Sequence, residues 1–435
     1  MSLRDFVSKL EKENKITKIN KEVSTDFEIA NVLAALDGNV LLFNNVKNST
    51  FPVIGNVASS RDLIASALEI KKERLLEKLN WSFNNLKELE IVDEGPCQEV
   101  EESVDLTKLP LLRYMPRDGD KYIASAVCIV KDPETKIRNV CFHRLMFLDK
   151  KNLVARIVEN RGTDTALKNA GGELDIAICI GNSIPVLLAA ATTLPHGVDE
   201  LKMANALEET KLVRCKTINI EVPAESEFIL EGRITKDKIL EGPFLDITET
   251  YDRIREQPII KIERITHRKN AMFHALLPGK GEHKLLMGMP KEPTIFNEVS
   301  RICKCKNVLI TPGGASWLHA IVQITKQKEE DGKKAIEAAF RGHGSLKHCI
   351  VVDDDIDIYD INEVEWAIAT RVQADKSVIV LKDQPGSSLD SSALQEPGKK
   401  ALTTKAGIDA TVPFGKTDKS FKKEKYAKVD VKEYL

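Results

Sequence analysis

The sequence predicts an α/β (α+β) chain in three parts, with a mostly β, barrel-like part in the middle. Three observations carry that prediction. At 435 residues the chain exceeds what a single hydrophobic core serves. Strand and helix patterns alternate in the first hundred or so residues, short β-type runs dominate from about 123 to 277, and alternation returns from 294. The parts are therefore set at 1–109, 110–293 and 294–435.

In the first part, Leu3, Phe6, Val7 and Leu10 recur at helical spacing between charges, so 2–14 is an amphipathic helix that packs on a core. A helix over 28–36, short strands over 40–43 and 51–57, and a helix over 60–70 capped by Ser59 or Ser60 follow. A Lys/Glu-rich helix spans 70–90, and Pro96, Pro110 and Pro116 mark an irregular passage onward. In the middle part β runs cover 124–131, 140–148, 153–158, 174–180, 218–222, 228–234 and 259–266, with helices inserted at 185–193 and 200–208. A barrel with inserted helices has a mouth, and mouths hold ligands. The last part reads as strands over 307–310, 320–325, 348–352 and 377–381 with helices over 333–341 and 364–370. From 411 the chain becomes a polar, Lys-rich tail.

Charge and composition narrow the partners. With 64 Lys and Arg against 66 Asp and Glu, nothing favours nucleic acid or a membrane surface, so small molecules are expected. No signal peptide and no apolar run of transmembrane length is found, which predicts a cytoplasmic protein. The eight cysteines lie mostly in apolar segments without zinc or redox spacing and read as reduced core thiols, the Cys303/Cys305 pair included. Walker loops and dinucleotide fingerprints are absent. The acidic run Asp353, Asp354, Asp355 and Asp357 fails as an EF-hand, because Ile358 stands where that loop needs glycine, and reads as a strand end followed by helix-capping acids.

Chemistry gathers at Leu240-Glu241-Gly242-Pro243-Phe244-Leu245-Asp246. Gly242-Pro243 breaks any helix there, so two carboxylates sit at a kinked strand end. Such a place can hold one carboxyl away from water beside another and make it a proton donor at neutral pH. A solvated acidic turn is the alternative.

Several stretches together resemble the UbiD family of reversible decarboxylases. Asn139-Val140-Cys141-Phe142-His143-Arg144 is similar to the family's Asn-x4-Arg strand, and Glu241-Gly242-Pro243-Phe244-Leu245-Asp246 to its EGP-x-x-[DE] segment. Residues 222–232, 347–372 and, more weakly, 407–411 resemble further family segments in the same order. The resemblance implies an N-terminal α/β unit, a split β-barrel that binds a prenylated flavin mononucleotide, and a C-terminal α/β domain that builds a homodimer or larger assembly. It also implies a flavin prenyltransferase as the cofactor's supplier.

By the resemblance, Arg144 positions the substrate carboxylate and pairs with Glu241, while Asp246 is the proton donor or its direct partner. Decarboxylation needs an electron sink that no side chain offers, and a planar, permanently charged guanidinium suits a carboxylate clamp. The family holds the flavin phosphate with a divalent ion, Mn²⁺ or Mg²⁺, and K⁺. Asn139 and Glu200 match two ligand positions of the divalent ion. Its third ligand, a histidine in the family, aligns near Asn160, or two residues on at Gly162, where the ligand would be missing. Glu200 could equally be the first-turn acid of helix 200–208. Lys405 is a candidate phosphate contact, weighed against a solvated lysine, and His143 is expected to be a structural histidine facing away from Arg144.

The family's substrates are aromatic or α,β-unsaturated acids. The wording EGPFLDITETYD and a short C-terminal part look archaeal. That points first to trans-anhydromevalonate 5-phosphate, decarboxylated without oxidation to isopentenyl phosphate in the mevalonate pathway, and second to a 4-hydroxybenzoate-type acid. A flavin-binding assembly subunit without turnover is the competing class. The joint presence of Arg144, Glu241 and Asp246, which such a subunit does not need, separates the two.

Overall fold

A computed structural model describes residues 1–435 except 196, 397–398, 417–420, 425, 428, 431 and 433–435. Part of the expected polar tail lies outside the described residues. The chain forms two compact units. The first holds residues 1–293 with 310–317 and 389–391, and the second holds 294–309, 318–388 and 392–435.

The first unit opens with the helix Leu3–Lys12, whose Ser2 and Asp5 cap each other and whose Leu3, Phe6, Val7 and Leu10 are buried. The strand Ile16–Ile19 follows and pairs in parallel with Val40–Phe43. Its half-exposed residues carry no apolar alternation, so the pattern alone does not reveal it. Val40–Phe43 pairs antiparallel with Val53–Gly55, and that strand pairs in parallel with Phe273–Ala275. The N-terminal sheet therefore takes its last strand from far along the chain.

Nine strands form the main sheet, which curls into a half-barrel. Its centre is the antiparallel pair Phe228–Glu241 and Arg255–His267. Leu174–Ile180, Val127–Lys131 and Arg138–Phe142 follow on one side; Asn152–Ala155, Leu145–Phe147 and Tyr122–Ile123 follow on the other, and the ninth strand, Val100–Glu102, pairs with the end of Arg255–His267. The strand from Phe228 outruns its apolar alternation because 235–240 are half-buried to exposed and held only by pairing with the facing strand. It ends at Glu241. The β run expected over 140–148 is two strands, broken at His143 and Arg144.

The second unit carries a five-stranded sheet in the order Lys304–Ile310, His319–Thr325, His348–Asp353, Leu402–Asp409, Val378–Pro385. Leu402–Asp409 escapes the sequence pattern because its buried face is Thr403, Lys405, Gly407 and Asp409, small or polar residues. In the acidic run, Asp353 and Asp355 pair with Arg371 and Asp360 caps the helix Ile361–Arg371. Cys303 and Cys305 are buried free thiols. Among the described residues no helix is long and apolar enough to cross a membrane.

Gly232 sits where the central strand pair slips register, and a Cβ there would meet the Lys261 carbonyl oxygen at 2.3 Å. Gly232→Ala is expected to cost about 1–3 kcal/mol, read as a lower melting temperature.

Candidate active site

Arg144 lies in the break between two strands, opposite the end of the strand that stops at Glu241. Its Nε donates to Glu241 Oε1 and its Nη2 to Glu241 Oε2, both at 2.9 Å. This is a bidentate fork on a carboxylate with no exposure. Nη2 also donates to Asp252 Oδ2 at 2.9 Å, and Nη1 to Asp246 Oδ2 at 3.3 Å. Burial works against the Arg144 charge, but the Glu241 bond and the charges of Glu241, Asp252 and Asp246 outweigh it and raise its pKa. A guanidinium has five N–H donors. Four are used, and one Nη1–H remains.

The chain between the two long strands brings the acids together. After Gly242-Pro243 it folds back, with Leu245 bridged to Tyr251 and the Asp252 N–H donating to the Phe244 carbonyl at 2.9 Å. Asp246 and Asp252 thereby reach one guanidinium, and Asp252 also accepts from Arg255, whose Nη1 donates to the same Oδ2 at 2.7 Å and whose Nη2 donates to Oδ1 at 3.1 Å. Asp246 makes the longest contact of the three and is 19% exposed, against 0% for Glu241. Of the three carboxylates it is the most accessible to a ligand.

Two further residues frame the cluster, and neither was singled out in the sequence. Tyr122 Oη donates to Glu241 Oε1 at 3.1 Å, and burial and the Glu241 charge keep its phenol protonated. Phe244 lies under the Arg144 guanidinium at 5.0 Å and against Tyr122 at 4.4 Å. Both elements are remote in sequence from Arg144. Asp252 had a weak signal, a fourth acid in the stretch that holds Glu241, Asp246 and Glu249.

A second polar group surrounds Asn139. Glu200 Oε1 accepts from Asn139 Nδ2 at 3.3 Å and Oε2 from the Val140 N–H at 2.9 Å. Burial pushes the Glu200 carboxyl up to about 7 against these donors, and among the described residues no ion pair compensates it. A desolvated carboxylate beside an amide oxygen is a donor set that fits a hard divalent cation. Asn160, the expected third ligand, does not join them. It is exposed, and its backbone N–H donates to Asp164 at 2.7 Å. Gly162 instead lies on Asn139, where a Cβ would come within 2.4 Å of Nδ2.

His143 faces this second group. Its Nδ1 meets the Arg156 carbonyl and so carries the proton, while Nε2 lies 3.0 Å from Thr163 Oγ1, which donates to Asn139 Oδ1. Burial first, then the Arg156 charge, lowers its pKa to about 4 and keeps it neutral. Lys405, in the second unit, is not a solvated lysine. It is buried on its strand, with Nζ donating to the Gly344 carbonyl at 2.8 Å. A groove of about 520 Å³ opens beside Arg138, Val198 and Asp199 and includes none of Arg144, Glu241 or Asp246 in its lining.

Comparison with known proteins adds to this geometry. The family described as 3-octaprenyl-4-hydroxybenzoate carboxy-lyase matches in three successive parts: its N-terminal domain at 7–83, its Rift-related domain at 90–281 and its C-terminal domain at 284–410. The chain belongs to the UbiD family of carboxy-lyases. Several relatives are named anhydromevalonate phosphate decarboxylase. That of Methanothermobacter thermautotrophicus is 41% identical, covering 96% of this chain and 98% of its own. That of Methanosarcina mazei is 43% identical, covering 94% and 96%. Among solved structures, the UbiD-class enzyme HmfF from Pelotomaculum thermopropionicum in complex with FMN superposes with a TM-score of 0.95 at 36% identity, over 100% of both chains. An evolved dimeric form of HmfF in complex with prFMN gives 0.90 at 34%, again over 100% of both.

Because folded Glu200 holds its proton more tightly than unfolded Glu200, stability is greatest below its ordinary value of 4.5 and falls as pH rises toward about 7. In metal-free buffer, Glu200→Gln is expected to gain on the wild type over that window by about 3 kcal/mol, seen in melting temperature, and added Mn²⁺ to stabilise only the wild type.

Proposed function

We propose that this chain is a prenylated-FMN-dependent, non-oxidative decarboxylase of trans-anhydromevalonate 5-phosphate, yielding isopentenyl phosphate. The observation that carries the proposal is the Arg144 guanidinium, forked onto Glu241, touching Asp246 and keeping one N–H for a ligand. The names of the two archaeal relatives favour the phosphorylated substrate. The bound flavin supplies the electron sink that side chains lack.

The chain's own residues do the rest. Arg144 binds the substrate carboxylate through its remaining N–H, while Glu241 and Asp252 fix the guanidinium plane and mute its charge. That muting matters. A bare cation would stabilise the departing carboxylate more in the ground state than in the transition state and so raise the barrier. As CO₂ leaves, the electron pair of the broken bond stays with the substrate, and Asp246 delivers a proton to the carbon that held the carboxylate. Solvent returns that proton to Asp246, whose side chain is partly exposed.

Asn139 and Glu200 would hold a divalent cation, Mn²⁺ or Mg²⁺, without help from Asn160, and that charge, with K⁺, would neutralise the cofactor's phosphate. A flavin prenyltransferase supplies the cofactor, and homodimers or larger assemblies form. Eight free cysteines suit a reducing cytoplasm.

Protein produced with a flavin prenyltransferase should release CO₂ from trans-anhydromevalonate 5-phosphate and not from 4-hydroxybenzoate-type acids. Release from the aromatic acids alone would replace the substrate, and flavin binding without any release would favour a non-catalytic subunit. Arg144→Lys should lower kcat/KM by about 100-fold or more, because an ammonium cannot make the planar fork on Glu241.

A further inference from the structure

His283 belongs to the helix Gly281–Gly288 of the first unit. Its Nδ1 accepts the Gly279 N–H at 3.0 Å, so the ring proton resides on Nε2. Among the described residues Nε2 has no partner.

The turn before this helix lies on the loop that carries Asp246. Gly279 has φ +70°, and a Cβ there would meet the Asp246 carbonyl oxygen at 3.2 Å and Glu249 Cγ at 3.0 Å. Only glycine both adopts that conformation readily and permits the approach. Lys280 and Lys284 then grip Glu249 at 2.9 and 2.5 Å, fixing the helix to the same loop. Burial lowers the pKa of His283, the Asp246 charge opposes this and the Arg144 charge adds to it, so the ring lies within the field of both. The imidazole is held neutral, with one N–H unused.

We infer that His283 contacts the substrate, donating Nε2–H to the bound acid's carboxylate beside the remaining N–H of Arg144. This rests on the decarboxylase reading of the site. The contact orients the carboxylate without adding positive charge, so departure of CO₂ is not opposed. The ring is no proton shuttle, since Nδ1 is occupied as an acceptor. It gains and loses nothing in the step.

Two variants of the flavin-loaded protein separate this role from a structural one. His283→Asn can keep the Gly279 bond through its amide oxygen but places no donor at the Nε2 position; His283→Gln restores an N–H at that reach. Calorimetry with trans-anhydromevalonate 5-phosphate and CO₂ release are measured on both and on the wild type. The expected result is at least a 10-fold loss of affinity and a 100-fold loss of kcat/KM for the asparagine variant, with the glutamine variant within 5-fold of wild type. Wild-type behaviour of the asparagine variant, or a glutamine variant no better than it, would overturn the inference. Binding by the wild type without turnover would overturn the decarboxylase reading alone, with affinity still testing His283, and no binding at all would overturn both.

Discussion

A buried guanidinium facing three carboxylates is the constraint on which the site depends. Removing any one partner of such a cluster leaves desolvated charge uncompensated, a loss of about 3–5 kcal/mol, so each must be delivered to its place by rigid structure. Glu241 is delivered by the end of a long strand, Arg144 by a break between two others, and Asp246 and Asp252 by a loop that folds back on itself. Tyr122 and Phe244 close the cluster with a phenol donor and an aromatic face. The half-barrel matters to function because it brings these points, far apart in the chain, to one place.

The polar group around Asn139 follows a different logic. There a carboxylate is buried with amide donors but no cation, and its proton is held unusually tightly. The Arg144 guanidinium is matched by carboxylates and keeps a single N–H to spare, whereas Glu200 is buried beside Asn139 with N–H donors alone. His143 and Thr163 orient the Asn139 amide from behind, while Gly162 leaves no side chain where a third ligand would stand. The two groups thus differ in electrostatics: in one a buried cation is matched by carboxylates, and in the other a buried carboxylate is met only by N–H donors.

Much of this was legible in sequence where local chemistry is distinctive. Gly242-Pro243 between Glu241 and Asp246 announces a strand end, and the helix around Phe6 announces its buried face. What stayed hidden depends on partners distant in the chain. Ile16–Ile19 and Leu402–Asp409 lack apolar alternation and are strands only because neighbouring strands pair with them. Tyr122 and His283 carry no motif, and only the curled sheet and the glycine turn at Gly279 bring them toward Glu241 and Asp246. Lys405 looked like part of a solvated, lysine-rich stretch because sequence cannot show which face of a strand is covered.

The central claim is that catalysis happens at the Arg144 cluster and not elsewhere in the half-barrel. A crystal structure of the flavin-loaded protein with an unreactive analogue of the acid tests it most directly. The account predicts the analogue's carboxylate on the free Nη1 of Arg144, within reach of Asp246, with Arg144 still forked onto Glu241. A carboxylate seated in the groove beside Arg138 and Asp199, with Arg144 untouched, would contradict it.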